Sequence, residues 1–199
     1  MLVVLAIITT LTGVVLTNQT SFNKTLVLAN TAYDIALTLR SSQTYGLGSR
    51  AFGGVVNAGY GLHFETVSPR SFTLFSDIYP NSSPSFCYGV PAVAGSPGAK
   101  PGNCRYDPSE SERVKEYVVE NNIEIYDFCA YLPGNRSCAR SNGLSSLDIV
   151  FARPNPSPFI NAYAGEACIT ISSPQGTFRF ISVSASGQIN ANAASCPSP

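Results

Sequence analysis

Residues 1–24 read MLVVLAIITTLTGVVLTNQTSFNK, and the fold turns on how that stretch is read. From Leu2 to Leu16 only Thr9, Thr10, Thr12 and Gly13 interrupt an apolar run, and no charge occurs before Lys24. A bilayer core about 30 Å thick takes about 20 helical residues to cross; this run has 15. A secretory signal peptide carries positive charge ahead of its apolar run and a small-residue cleavage site behind it. Only Met1 precedes the run here, and VVLTNQ is a poor cleavage site. Neither simple reading fits.

The residues that follow keep a helical period. Between Phe22 and Leu39 there is no Pro or Gly. At about 100° per residue, Leu28, Ala32, Ile35 and Leu39 form one stripe, and Phe22, Leu26, Ala29, Tyr33, Ala36 and Leu37 form a second beside it. Asn23, Lys24, Asn30, Thr31, Asp34, Thr38 and Ser41 occupy the remainder. The joint apolar arc is about 200°, against the ~100° that a helix lying on one core needs. Gly46 and Gly48 favour a C-terminal stop. One helix is therefore expected over residues 1–45, apolar all round at first and two-sided later. One stripe serves its own domain and the other calls for a partner.

Beyond Gly48 the period changes. GYGLHFE, SFTLFSD, EYVV, NIEIYDF, SLDIVFA, ACITISS and TFRFISVS are short β-branched and aromatic runs bounded by Gly, Pro, Ser and Asn, the pattern of strands and turns. Pro174 and Gly176 suit a type I turn joining ACITISS to TFRFISVS in a hairpin. SASGQI turns again into a last short strand. Residues 78–111 read as a long loop in need of a staple. The expected fold class is α+β, a long helix packed on a mostly antiparallel β domain over residues 46–199.

Composition narrows the function. Charged residues make up only 12% of the chain, and 12 acids balance 12 bases, so no field recruits nucleic acid or an anionic surface. Six cysteines, Cys87, Cys104, Cys129, Cys138, Cys168 and Cys196, all lie beyond residue 80. None shows C-x-x-C spacing, and His63 is the single histidine, so no metal site or cofactor is expected. Disulfides in an oxidising, extracytoplasmic compartment are the better reading. Six cysteines allow fifteen pairings. Pairing of chain neighbours (87–104, 129–138, 168–196) is preferred because each closes one loop.

These residues resemble a known family. LVVLAIITTLTGVVL is similar to the N-terminal segment of type IV pilins and pseudopilins. GYGLHFE, FTLFSD, LDIVFARPNPSPFI and ITISSPQGTFRFISVSASGQI resemble the body of minor pseudopilins of the GspH/FimT type. The resemblance implies a pilin-like fold and a non-enzymatic structural subunit of a type IV pilus or a type II secretion pseudopilus. It implies an inner-membrane, single-pass location before assembly, with the β domain extracytoplasmic, and then a place in the filament. Its partners would be other subunits, met helix to helix, and a prepilin peptidase acting on an upstream leader. The assembly residues would be Leu2, Val3, Val4, Leu5, Ile7, Ile8, Leu11, Val14, Val15 and Leu16, with Phe22, Leu26, Ala29 and Tyr33 on the second stripe. The chain departs from the family at its start. Met1 stands one residue after the position of the family's glutamate, so the leader, the methylated phenylalanine and that glutamate are expected upstream. The family's proline near the end of the apolar segment is replaced by Thr17.

Two rival classes are weighed against this. Nucleophilic catalysis usually needs a His base, and His63 reads as one face of a strand. Glu110, Glu112, Glu116, Glu120 and Glu124 read as the solvated side of a charged segment rather than a glycosidase pair. An enzyme is not expected. The alternative is a membrane-anchored binding module, a DNA-uptake minor pilin or an adhesin. It rests on Arg136 and Arg140 flanking Cys138 in PGNRSCARSN, with the neutral charge balance against it.

Overall fold

The computed structural model describes residues 2–48, 50–79 and 101–197; the side chains of residues 2 and 14–24 lie outside the described set. Helix α1 runs Leu2–Leu47. Eleven strands follow: β1 Gly59–Glu65, β2 Ser71–Asp77, β3 Arg113–Val118, β4 Glu124–Leu132, β5 Asn135–Cys138, β6 Ser146–Ala152, β7 Asn155–Ile160, β8 Tyr163–Ala164, β9 Glu166–Ser172, β10 Phe178–Val183 and β11 Ile189–Ala193. A 3-10 turn, Pro108–Glu110, precedes β3, and a one-turn helix α2, Ala139–Asn142, follows β5.

The strands form two antiparallel sheets, one of six strands in the order β3-β2-β1-β6-β7-β8 and one of five in the order β11-β10-β9-β4-β5. In the first sheet Tyr60, Leu62 and Phe64 lie opposite Phe151, Ile149 and Leu147. In the second, Ile169 stands between Phe128 and Ile181. Apart from Tyr60, these apolar cross-strand rows meet Leu28, Ala32, Ile35, Ala36 and Leu39 of α1 in one core. The helix touches β1 and β6 of one sheet and β10 and β11 of the other. Its polar edge ties both down as well: Gln43 Nε2 donates to the carbonyls of Pro156 (3.2 Å) and Gly187 (3.0 Å), and Arg40 Nη2 to that of Ile189 (3.2 Å).

Two expectations are corrected. The fold is not the α+β, pilin-like class expected: the body is two antiparallel sheets, and the fold is mostly β. The reason is that α1 lends only one stripe to a core otherwise built from strand side chains. The single-pass membrane location is corrected too. Among the described residues no helix is long and apolar enough to cross a membrane. The apolar run in this sequence covers about 22 Å of helix axis against a core of about 30 Å, and Thr17, Asn18 and Gln19 follow it.

Smaller differences are also physical. The helix ends at Leu47, between the two glycines expected to stop it, and Gly46 lies buried in its last turn. A Cβ there would come within 2.1 Å of the Phe151 carbonyl oxygen, so the glycine is what lets the helix end lie on β6. β5 and β7 were not expected as strands of their own. β7 carries Pro156 and Pro158, which cannot donate to a ladder, and it is flanked on its outer side only by two-residue β8. EYVV and NIEIYDF, neighbours in sequence, join different sheets.

Candidate functional site

The described apolar residues at the start of α1 have no cover. Val3, Val4, Leu5, Ile7, Ile8 and Leu11 are each more than half exposed, from 53% to 71%. Their threonine neighbours spend their hydroxyl protons within the helix. The hydroxyls of Thr9, Thr10 and Thr12 donate back to carbonyls three or four residues earlier, at 2.7–3.0 Å. The segment is thus a helix with an exposed apolar arc of about 200°, completed by Ala6, Gly13 and threonines whose hydroxyl protons are bonded within the helix.

Further along, the same helix has two faces. Leu28, Ala32, Ile35, Ala36 and Leu39 are buried, whereas Leu26, Tyr33 and Leu37 are exposed. At about 100° per residue the exposed three fall on the side of the helix opposite the buried stripe. Ala29 is half-buried, and Ala36 belongs to the buried stripe. Of the expected assembly residues, the side chains of Leu2, Val14, Val15, Leu16 and Phe22 lie outside the described set.

The outer face of the six-stranded sheet holds the only histidine. His63 Nδ1 lies 2.6 Å from Asp148 Oδ1, and Nε2 lies 3.8 Å from Glu65 Oε2. The Tyr106 ring leans on the imidazole, centroids 4.8 Å apart. A cavity of about 440 Å³ opens here, lined in part by His63, Glu65, Thr73, Tyr106, Arg113 and Glu116. Among the described residues no hydroxyl or thiol hydrogen-bonds to Nε2, so no nucleophile is paired with the imidazole.

The glutamate series divides. Glu116 is exposed beside Arg113, and Glu124 pairs with Arg70 at 2.8 Å. Glu112, read as solvated, is fully buried. Its Oε1 accepts the N–H groups of Ile78 (2.9 Å) and Tyr79 (2.8 Å), and its Oε2 that of Asp107 (2.8 Å). Burial pushes its carboxyl up to about 7, with the three N–H groups pulling the other way. Asp77, also buried, accepts the N–H groups of Asn103 (2.8 Å) and Cys104 (2.7 Å). Gly102, with φ +101°, lies so close that a Cβ would strike the Asp77 carboxylate. The flanks of the long loop are therefore fastened by buried carboxylates as well as cystine. Neither was visible in sequence, because an acid that caps backbone N–H groups looks like any acid in a polar stretch.

Disulfides join Cys129 to Cys138 and Cys168 to Cys196. Cys104 is also disulfide-bonded; Cys87 lies outside the described residues. Asp127 lies with Cys129 and Cys138 in one small cluster, but those sulfurs are consumed in the bridge and offer no thiolate. PGNRSCARSN is not one loop: it contributes β5 and α2. The Arg140 guanidinium sits 3.7 Å from the Tyr126 ring centroid, and its Nε donates to the Tyr126 carbonyl at 2.8 Å. Arg136 lies 5.4 Å from the Tyr131 ring. Both arginines on which the binding-module alternative rests lie over tyrosine rings.

Comparison with family models, with curated proteins and with solved structures returned no match of any kind.

Proposed function

We propose that the protein is a non-enzymatic structural subunit that assembles through α1 by packing against the same helix of neighbouring subunits, as minor pilins and pseudopilins do. The observation that carries this reading is the uncovered start of α1, with an exposed apolar arc too wide for one flat partner surface, continued by an apolar stripe on the side facing away from the body. A single partner surface covers one side of a helix; a bundle of like helices covers all of them. Each Val, Leu or Ile withdrawn from water contributes roughly 1.5–3 kcal/mol, so half a dozen offset an association cost of roughly 4–15 kcal/mol. The Thr hydroxyls, already bonded within the helix, add no desolvation penalty to such packing. The binding-module alternative loses ground because Arg136 and Arg140 already face Tyr131 and Tyr126.

The test compares the full chain with Ile8→Asp by sedimentation velocity and negative-stain microscopy. Wild type is expected to form concentration-dependent assemblies of uniform width. The variant is expected to remain monomeric with both Cys129–Cys138 and Cys168–Cys196 intact. A monomeric wild type, or an Ile8→Asp variant that assembles normally, overturns the proposal.

A further inference from the structure

The imidazole of His63 is set up in a way that a mere strand decoration does not require. Asp148 is 5% exposed, and its backbone N–H is held by Asn161 Oδ1 at 2.7 Å. An ionised carboxylate only accepts hydrogen bonds, so the 2.6 Å contact places the imidazole proton on Nδ1. In the neutral ring Nε2 then carries the lone pair, and the ring lines the cavity. Its nearest charged neighbour is Glu65 Oε2 at 3.8 Å. The other Glu65 oxygen is already occupied, accepting from Ser68 Oγ at 2.8 Å. Nε2 and Glu65 Oε2 thus stand side by side, and among the described residues no side-chain or backbone donor is bonded to either.

A metal cation, like a proton, can bridge two such atoms. We propose that His63 Nε2 and Glu65 Oε2 are the two protein ligands of a divalent transition-metal site of the Zn²⁺ or Ni²⁺ class, with Asp148 as the positioning residue. Metal–nitrogen and metal–oxygen bonds near 2.1 Å put tetrahedral ligand atoms roughly 3.4 Å apart. A small swing of the Glu65 carboxylate closes the difference. A carboxylate donating no metal bond itself but holding the second imidazole nitrogen is the usual support of a ligating histidine. The cavity wall carries two carboxylates, Glu65 and Glu116, and one guanidinium, Arg113, which lies 3.4 Å from Glu116. Tyr106 packs on the ring and limits its rotation. The remaining coordination positions open to the cavity and fall to water or to a donor from another molecule.

Because His63 is the only histidine, its ring C–H signals in a proton NMR spectrum need no assignment. The experiment titrates Zn²⁺ into the tag-free full chain, kept in mild detergent, and follows those signals alongside calorimetry. Saturable movement of both signals at one ion per chain, reversed by chelator, is expected. His63→Gln is expected to abolish the calorimetric binding, and Asp148→Asn to weaken it about 10–100-fold. Ring signals that ignore excess Zn²⁺ overturn the proposal without reference to any variant. So does His63→Gln protein that binds Zn²⁺ like wild type. Failure here leaves the assembly proposal untouched, since the site lies on the sheet face away from the core that α1 enters.

Discussion

The two halves of α1 share one backbone and a similar supply of Leu, Ile, Val and Ala, yet their surroundings are opposite. Ile35 and Leu39 are fully buried between two sheets, while Ile7 and Ile8 stand more than half exposed. The difference is not hydrophobicity. It is whether the chain supplies a complementary surface, and the sheets reach only the later half of the helix. An apolar side chain contributes to folding only where its own chain closes around it. Elsewhere the same side chain is free energy held for association.

The sharpest way to break this comparison is paired truncation. Ile35→Ala should lower unfolding stability by about 2–5 kcal/mol, and Ile8→Ala should leave it within about 0.5 kcal/mol. Urea titration followed by near-ultraviolet dichroism measures both, and equal losses would refute the division of the helix into a folding half and an association half.

Next in size is a buried charge set against these buried carbons. Glu112 ionises near 7 in the folded state, above its ordinary value of 4.5, because burial disfavours the anion. In the window between those values the folded chain holds a proton that the unfolded chain has released. Its stabilising contribution is complete below about 4.5 and is lost as pH rises to about 7, by less than about 3 kcal/mol. Glu112→Gln should flatten that part of the stability–pH curve; an unchanged slope would remove Glu112 as its source.

Gly46→Ala probes where the folding half ends. A new methyl against the Phe151 carbonyl should cost about 1–3 kcal/mol by overpacking. The matching Gly13→Ala, with nothing within 4 Å of its Cβ position, should be neutral or slightly stabilising. Thermal melts of the two variants decide it. The smallest effect belongs to Arg140→Gln, which removes a stacked guanidinium from Tyr126 on the surface and should cost about 0.5–1 kcal/mol. A larger loss would mean that α2 and the neighbouring disulfide depend on it.

Much of the architecture was legible because periodicity is local. The 3.6-residue pattern marked α1, and alternation in SLDIVFA marked β6, whose Leu147, Ile149 and Phe151 face the main core. The hairpin across Ser173–Thr177 was legible from its turn chemistry: the Gly176 N–H donates to the Ser173 carbonyl at 3.0 Å, with Gly176 at φ +77°. Other features were not legible. Prolines hid β7, and the short NRSC run hid β5 inside an apparent loop. The placement of EYVV and NIEIYDF in separate sheets depends on which partners are free, and no local pattern carries that. The assembly surface was half legible: the run itself was plain, but the sequence grouped Ala36 with Leu26, Tyr33 and Leu37, whereas Ala36 is buried and the other three are exposed. Glu112, Asp77 and the His63–Asp148 pair were missed altogether, since their meaning lies in partners 26 to 85 residues away.

By itself the sequence determined the helix, most of the strands, the oxidised cysteines and the uncharged start, because each follows from the period or chemistry of a few consecutive residues. Tertiary structure alone decided the sheet order, which half of the helix is covered, which acids are buried and where the lone imidazole points. Each of those depends on distant segments arriving at one place, where a carboxylate 85 residues from an imidazole can settle its tautomer.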